Sequence, residues 1–255
     1  MNAALALSTY REEQRSVTWA NERLERMPGV TRRGTSDGQI NWVSAYQLTP
    51  ENADAAIAAE ILHFNKLGVE FEWKLFSFDE PTDLQAHLSK AGFEIGDREA
   101  LVMFDLQDGL EGFEADRDVE VRHANTPAVI ADYRQITESV FDKDFALTES
   151  HLLAALETGN PGHDAFVAYV NDEPVSGGRL YTDPNSAFGG LYGGGTLPAF
   201  RGKGIYRSVV RARAEFALNQ GCRYVLVDAM PTSLPILLRQ GFVHVADSWA
   251  CTLNC

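Results

Sequence analysis

The hydrophobic and polar positions of this chain follow two alternating periods, one typical of strands and the other typical of helices. In the first half, runs rich in apolar and aromatic residues predict strands at residues 40–48, 70–78 and 99–106. Residues 51–66 repeat apolar positions at helical spacing, and Gly68 follows where a helix C-terminus is expected. A shorter helix begins near Pro81 and ends before Gly92. Strands that alternate with helices in this way predict an α/β fold.

The second half continues the same alternation. Helices are predicted at residues 126–141, 149–158, 207–219 and 233–240. Strands are predicted at residues 119–122, 165–170, 175–181, 188–196, 224–229 and 243–253. The pair Asn171-Asp172 is typical of a tight turn that makes its flanking strands a hairpin. Residues 107–116 are acidic and contain two glycines, which predicts a linker and therefore two domains, residues 1–112 and 113–255.

The two halves share an order of elements, which is strand, helix, glycine, strand, short helix, Gly-Phe and strand. The segment 88–93 (Leu-Ser-Lys-Ala-Gly-Phe) matches the segment 237–242 (Leu-Leu-Arg-Gln-Gly-Phe) at the end of this order. A shared period of this length favours duplication of one module. The alternative is two unrelated α/β units whose helices end at ordinary glycines.

The charge of the chain limits its partners. Its formal net charge is −14, and an acidic surface repels the phosphates of nucleic acids and of anionic lipids. We therefore expect neither a nucleic acid nor a membrane as a partner. The same charge would attract a cationic small molecule, although an acidic surface also serves solubility alone.

Cysteine usage and the N-terminus indicate the compartment. Cys222, Cys251 and Cys255 form no regular spacing, which argues against a disulfide framework and suits a reducing cytoplasm. No cysteine–histidine cluster has zinc spacing, so no metal site is expected. The apolar run at residues 1–7 is too short for a signal peptide, and no apolar run is long enough to span a membrane. We expect a cytoplasmic protein.

The segment with the clearest chemistry is residues 193–207, which leaves a strand and enters a helix. Its glycines let the backbone approach a ligand closely, and the start of a helix presents free N–H groups and a positive dipole end. Arg201, Lys203 and Arg207 add positive charge. Together these features predict a pyrophosphate site. The spacing is neither that of a P-loop nor that of a dinucleotide-binding glycine motif, and the alternative is a basic surface turn.

Residues 196–206 (Thr-Leu-Pro-Ala-Phe-Arg-Gly-Lys-Gly-Ile-Tyr), the following helix and the run from Asp228 to Phe242 resemble the GNAT superfamily of N-acetyltransferases. The resemblance implies the GNAT fold, an α/β (α+β) domain with a mixed, mostly antiparallel central sheet flanked by helices. It also implies acetyl-CoA as the cofactor. Residues 40–106 look like a degenerate, partial GNAT-like module. Because residues 52–54 replace the Arg-x-x-Gly-x-Gly loop there, no cofactor is expected in that half.

The resemblance further implies which residues contact the cofactor. The strand end Gly195, Thr196 and Leu197 would pair with the pantetheine arm as an added strand, and the splay towards the strand at residue 224 would admit the thioester. The remaining implied contacts are Arg201, Gly202, Lys203, Gly204, Ile205, Tyr206 and Arg207. The family usually has Gly or Ala where this chain has Tyr206, so that side chain must point away from the phosphates.

The catalytic residues are less well defined, because the family's usual tyrosine acid falls at Leu237. Ser233 or Tyr192 would then protonate the thiolate, and Asp228 would accept the proton of the amine. Each has a structural alternative. Ser233 could be a helix cap, Tyr192 a core or rim aromatic, and Asp228 a turn or cap residue. His163 lies in a predicted turn that faces water. A water molecule can also accept the proton of the amine in place of a side chain.

These features support two functions of different classes. The first is an N-acetyltransferase that moves an acetyl group from acetyl-CoA to a primary amine of a small molecule or peptide by direct attack. The second is a non-catalytic acyl-CoA-binding or sensing protein, which the missing tyrosine favours. A homodimer is also possible through the aromatic strand at residues 71–76, whose alternative place is an internal core.

Overall fold

The computed structural model describes residues 1–17, 22–113, 119–159 and 162–253. Its helices are α1 Ala3–Ser16, α2 Ala53–Leu67, α3 Leu84–Lys90, α4 Pro127–Phe141, α5 Ala146–Thr158, α6 Ile205–Asn219 and α7 Leu234–Arg239. Its strands are β1 Glu22–Met27, β2 Val30–Thr35, β3 Asn41–Ala45, β4 Glu72–Phe76, β5 Phe93–Ile95, β6 Glu99–Asp105, β7 Glu120–His123, β8 His163–Val170, β9 Glu173–Tyr181, β10 Phe188–Thr196, β11 Tyr224–Ala229 and β12 Val243–Leu253. Within this described part, no helix is long and apolar enough to cross a membrane.

Most predicted elements are confirmed, and three predicted strands, β10, β11 and β12, have the expected bounds. Helix α4 begins as its sequence indicates, because the Thr126 hydroxyl accepts a hydrogen bond from the Val129 amide at 3.4 Å. The hairpin turn is also confirmed, since Asn171 and Asp172 both adopt positive φ, at 51° and 62°. This is the backbone that a two-residue turn of the right twist requires.

The structure adds α1, β1 and β2 before residue 40, where the sequence predicts no element, and β5 after residue 92. The two early strands escape detection because neither alternates apolar and polar residues: β1 has no buried residue, and two buried residues of β2 are polar. Thr31 and Arg33 are both buried on β2, so the strand lacks the apolar alternation that marks a half-buried sheet. β5 is three residues long, which is too short for a periodic pattern.

The chain divides into two compact units. Unit 1 comprises Met1–Ala6, Val102–Val227 and Ser233–Val243, and unit 2 comprises Leu7–Leu101, Asp228–Thr232 and His244–Cys255. Each unit therefore takes residues from both sides of residue 112, whereas the sequence predicts two consecutive domains. That predicted boundary stays a prediction.

Unit 1 contains a mixed sheet in the order β7-β8-β9-β10-β11, with the end of β6 beyond β11. Strands β7 to β10 pair antiparallel, and β10 pairs parallel to β11. Glycines on β9 and β10 let a helix approach each face. A Cβ on Gly177 would lie 2.8 Å from Tyr133 of α4, and one on Gly178 would lie 2.6 Å from Arg213 of α6. The unit is an α/β sandwich with the fold class that the sequence predicts.

Unit 2 contains the sheet β1-β2-β3-β4-β12, and β5 also pairs with β12. β3 and β4 are parallel, and the remaining pairs are antiparallel. The aromatic strand lies in the core of this unit, where Trp73 is completely buried and Phe71 packs edge-on against Phe93 at 5.6 Å. The internal position considered for residues 71–76 is therefore confirmed.

The repeated order of elements has a structural counterpart in each unit. β3-α2-β4 and β10-α6-β11 are both a parallel strand pair joined by a helix, and a glycine with positive φ follows each helix. The Gly-Phe pairs also act alike. Phe93 lies in the core of unit 2, and Phe242 lies in unit 1 against Phe104 at 5.7 Å. This likeness of paired elements supports duplication of one module.

Candidate cofactor loop and reaction centre

The loop between β10 and α6 carries unengaged main-chain donors. Gly202 and Gly204 have φ of 75° and 86°, and Gly204 is the residue that precedes the first turn of α6. Among the described residues, no acceptor takes a hydrogen bond from the amides of residues 202–206. Free N–H groups at the positive end of a helix dipole favour an anion. The geometry therefore fits the predicted pyrophosphate site.

The two amides that flank this stretch are already engaged. The Arg201 amide donates to the Pro198 carbonyl at 3.3 Å, and the Arg207 amide donates to the Gly204 carbonyl at 2.9 Å. Of the main-chain donors expected from Arg201 to Tyr206, the first is thus used within the protein. The Arg201 side chain also turns back, because its Nε donates to the Thr196 carbonyl at 2.9 Å.

Two basic side chains of the loop, those of Arg201 and Lys203, are open to solvent. Neither forms an ion pair with a carboxylate in the described part of the chain. The Lys203 ammonium lies 5.1 Å from the centre of the Phe200 ring, which holds it beside the loop. Positive charge without an internal counter-ion is what binding of a diphosphate requires.

Tyr206 points towards the sheet. A Cβ built on Gly194 of β10 would lie 3.0 Å from the Tyr206 ring, so the ring occupies the space that this glycine leaves. The glycine-rich strand thereby accommodates a tyrosine where the family usually has a small residue. The side chain is directed to β10 from its own position at the start of α6.

Strand β10 is interrupted by a bulge. Its register with β9 shifts between Tyr192 and Gly195, and Gly193 has a φ of 55°. Side chains take the place of the lost strand partner, since Tyr133 donates to the Gly193 carbonyl at 3.2 Å and Arg213 donates to the Tyr192 carbonyl at 3.5 Å. A bulge re-aims the main chain and is common next to active sites.

The open edge of β10 begins directly after its pairing with β11. The parallel register covers only Phe188 to Gly190 of β10, and beyond Gly190 no described residue of β11 pairs with it. Such an edge can accept an added strand, which is the role predicted for it towards a pantetheine arm. One expected donor is missing, because the Leu197 amide already donates to the Val175 carbonyl at 2.9 Å. Leu197 therefore offers no free amide to a thioester carbonyl.

Of the candidate acids, Tyr192 lies at the bulge and is 38% exposed, with its ring edge-on to Tyr181 at 5.2 Å. Ser233 stands at the position before α7, but its side chain makes no capping hydrogen bond, so the cap considered for it does not form. Leu237 is completely buried, and the position of the family's tyrosine is thus part of the core. Tyr192 and Ser233 both belong to unit 1.

The candidate base Asp228 belongs to unit 2 and is not free. One of its carboxylate oxygens accepts from the Ser248 hydroxyl at 2.6 Å, and the other lies 3.2 Å from the Lys74 ammonium. It therefore serves neither as a turn nor as a cap residue. Burial alone would lower the pKa of Lys74, but Asp228, Glu99 and Glu72 together raise it above its ordinary value. Asp228 is thus an ion-paired and hydrogen-bonded member of this cluster rather than a free carboxylate.

The structure also shows a polar group that sequence reasoning missed. Arg179 of β9 lies beside the bulge, and its Nη1 donates to the Tyr181 hydroxyl at 3.0 Å and to the Thr148 hydroxyl at 3.3 Å. His163 is hydrogen-bonded to the same Tyr181 hydroxyl at 2.9 Å. The signal available in the sequence was a single arginine within the otherwise uncharged run 174–181.

His163 corrects one expectation, because it does not face water in a turn. It is the first residue of β8 and is half-buried. Burial, the Arg179 charge and His151 lower its pKa from 6.5 to about 3. His163 is consequently neutral at pH 7 and unsuited to carry a proton there.

This pKa predicts a loss of stability in mild acid. Between about pH 6.5 and pH 3 the unfolded chain binds a proton at His163 that the folded chain does not, so stability is complete above pH 6.5 and falls below it. From pH 7 to pH 5, the wild type should lose about 1 to 2 kcal/mol more of its free energy of unfolding than the His163→Gln variant. Urea unfolding at both pH values measures this. His244→Gln, which changes an exposed histidine, should keep the pH dependence of the wild-type free energy of unfolding. If His163→Gln kept that dependence as well, His163 would not be its cause.

The bulged strand with its unpaired edge and the basic loop at a helix start lie together in unit 1 and form the candidate site. Residues 120–242 match the model of the Acetyltransferase (GNAT) family, and this part of the chain belongs to that family. The family is one of acetyltransferases. No curated protein matches the chain at the level of sequence.

Solved structures extend the likeness in fold to the whole chain. A GCN5-related N-acetyltransferase from Kribbella flavida has a TM-score of 0.74 at 15% identity, covering 100% of this chain and 96% of that one. A functionally unknown conserved protein from Staphylococcus epidermidis has a TM-score of 0.71 at 17% identity, covering 96% and 97%. A tandem GNAT protein from the clavulanic acid biosynthesis pathway has a TM-score of 0.56 at 13% identity, covering 92% and 83%.

Proposed function

We propose that the protein is an N-acetyltransferase that moves an acetyl group from acetyl-CoA to a primary amine by direct attack. The observation that carries this proposal is the run of amides at residues 202–206, which have no hydrogen-bond acceptor among the described residues and lie at the positive end of α6 beside the exposed Arg201 and Lys203. The family of residues 120–242 and the open edge of β10 support it.

In this reaction the amine nitrogen bonds to the thioester carbon, the C–S bond breaks, and the CoA thiolate gains a proton while the new amide loses one. The protein must position the thioester and supply the proton. Tyr192 is the candidate donor, because its ring is partly exposed at the bulge of β10. Ser233 remains a second candidate. Since Asp228 is paired with Lys74, the proposed acceptor of the amine proton is water, with Asp228 as the alternative.

A non-catalytic acyl-CoA-binding protein is the second candidate function. It is favoured by the buried Leu237, since a core leucine cannot protonate a thiolate. Calorimetry with CoA, beside an assay of free thiol released from acetyl-CoA with a panel of amines, separates the two functions. Binding with turnover supports the transferase, binding without turnover across the panel supports the second function, and absence of binding contradicts both.

The proposed setting is the cytoplasm, with a small molecule or peptide as the acceptor and with no nucleic acid or membrane as a partner. The thiols of Cys222 and Cys251, which are buried and form no disulfide in the described part of the chain, support a reducing compartment. The net charge of −14 supports the exclusion of polyanionic partners. A homodimer stays a prediction.

A further inference from the structure

Arg179 is a cation with no counter-ion among the described residues. Its Nη1 donates to the hydroxyls of Tyr181 and Thr148, and its Nε is buried with no hydrogen-bond partner in the described chain. No carboxylate of the described residues lies within ion-pair distance of it. Phenols stand near the guanidinium where a buried arginine usually has carboxylates, and a phenol is neutral at pH 7. Burying a charge without an opposite charge is costly, so such a residue is expected to have another role.

Two other arginines of unit 1 are paired with carboxylates, whereas the buried Arg213 is held by main-chain carbonyls. Arg134 of α4 pairs with Glu138 at 2.7 Å and with Glu149. Arg122 of β7 pairs with Glu120 at 2.7 Å. The chain has 36 acidic residues against 22 basic ones, so carboxylates are plentiful. Arg179 nevertheless has no carboxylate of the described residues within ion-pair distance, and phenols act on its charge instead.

The position of Arg179 connects it to the reaction. A Cβ built on Gly193, the bulge residue of β10, would lie 3.2 Å from the Arg179 Nε. The exposed Tyr192 ring contacts the ring of Tyr181, to which Arg179 is hydrogen-bonded. The guanidinium therefore lies beside the bulge of β10, the strand whose edge is proposed to bind the cofactor arm. The guanidinium lies on the face of the sheet that α4 covers, because Gly193 also faces Tyr133 of that helix.

We define the Arg179 patch as the partly exposed side chains Thr148, His151, His163, Arg179, Tyr181 and Tyr192. His163 adds no charge at pH 7, because its pKa is about 3. The patch thus combines one fixed positive charge with aromatic rings and hydroxyls. An anionic, partly apolar molecule is complementary to this surface, whereas a polycation is repelled.

We propose that the acceptor is an amine that also bears a carboxylate, as an amino acid does, and that Arg179 binds this carboxylate. The inference rests on the proposed function, because it names the acceptor class of the same site. It replaces the cationic acceptor suggested by the net charge of the chain. Net charge describes the whole surface, and the charge within reach of the acceptor decides its selection.

The test measures binding rather than turnover. CoA-loaded protein is mixed with matched sets consisting of the common L-amino acids, their C-terminal amides and their decarboxylated amines, and the shift of the thermal unfolding midpoint is titrated. At least one carboxylate should bind the wild type about 10- to 100-fold more tightly than its amide, which is the range of a hydrogen bond to a charged group. Arg179→Gln should abolish this difference.

Two further variants guard the interpretation. Arg179→Lys keeps the charge but loses the planar fork, so it should retain a smaller preference for the carboxylate. It serves if Arg179→Gln does not fold. Arg122→Gln is the matched control, because Arg122 also stacks on a tyrosine, at 4.1 Å from Tyr169, but is paired with Glu120. It should bind every compound as the wild type does.

The outcomes distinguish failure of this inference from failure of the proposed function on which it rests. Amides or decarboxylated amines that bind as tightly as the acids, equal binding of the acids by Arg179→Gln, or no binding of any acid would each overturn the inference. If the wild type bound the acids and Arg179→Gln did not, but no thiol was released from acetyl-CoA, the carboxylate site would be supported and the transferase reaction rejected. If Arg179→Gln lowered kcat equally for acids and amides and left KM unchanged, Arg179 would act on the thioester, and the inference would likewise be overturned.

Discussion

Replacing Gly204 by aspartate is expected to weaken CoA binding about 100-fold. The new carboxylate would stand beside the unengaged amides of residues 202–206, where it competes for their N–H groups and repels the diphosphate. Loss of two hydrogen bonds to a charged group amounts to about 3 kcal/mol, which corresponds to roughly two orders of magnitude in Kd. Isothermal titration calorimetry with CoA measures the effect.

Gly221→Asp is the matched control for this prediction. Gly221 follows the other end of α6, has a similar φ of 88° and, like the loop glycine at residue 202, has no atom within 4 Å of an added Cβ. The control therefore introduces the same charge at a comparable backbone conformation, away from the loop. We expect it to bind CoA as the wild type does. If Gly204→Asp bound CoA equally well, the loop would not be the pyrophosphate site.

Gly178→Val is expected to lower the free energy of unfolding by about 4 kcal/mol. A Cβ at this position would lie 2.6 Å from Cζ and Nη1 of Arg213, which is completely buried. The guanidinium cannot retreat without losing its hydrogen bonds to the carbonyls of Arg179, at 3.1 Å, and Val209, at 3.2 Å. Overpacking and the unpaired polar groups each cost about 1 to 3 kcal/mol. Urea unfolding measures the loss.

Gly112→Val provides the comparison, because an added Cβ there meets no atom within 4 Å and its φ lies outside the left-handed region. Its effect should stay below about 0.5 kcal/mol, as for other surface substitutions. A loss of less than about 1 kcal/mol in Gly178→Val would show that α6 can move away from β9 easily. The close approach of helix and sheet would then not be what keeps residues 177 and 178 glycine.

The glycines of β9 and β10 and the bulge of β10 share one structural explanation. Strand β10 and its neighbour β9 are rich in glycine because Tyr133 and Arg213 fill the space on opposite faces of the sheet. These side chains also bind the bulge carbonyls that lack a strand partner. The bulge is therefore held by long side chains from α4 and α6, and the edge of β10 beyond Gly190 has no partner in the described part of β11.

The sequence by itself determined the local features of this protein. It predicted β10, the turn at Asn171 and the loop before α6, because each depends on neighbouring residues. Glycines permit positive φ, and a helix start leaves amides free whatever the rest of the fold does. The family resemblance rests on the same contiguous run, residues 196–206, and is confirmed for residues 120–242.

Only the tertiary structure decided which distant residues meet. Asp228 looked like a free base until the fold placed Lys74 beside it, and Arg179 looked like an ordinary strand residue until the fold surrounded it with phenols. The polar strand β2 and the entry of β12 into unit 2 were equally hidden. Local periodicity reports which face of an element is buried, but the partners of a charge and of a strand edge are set by contacts between residues far apart in the chain.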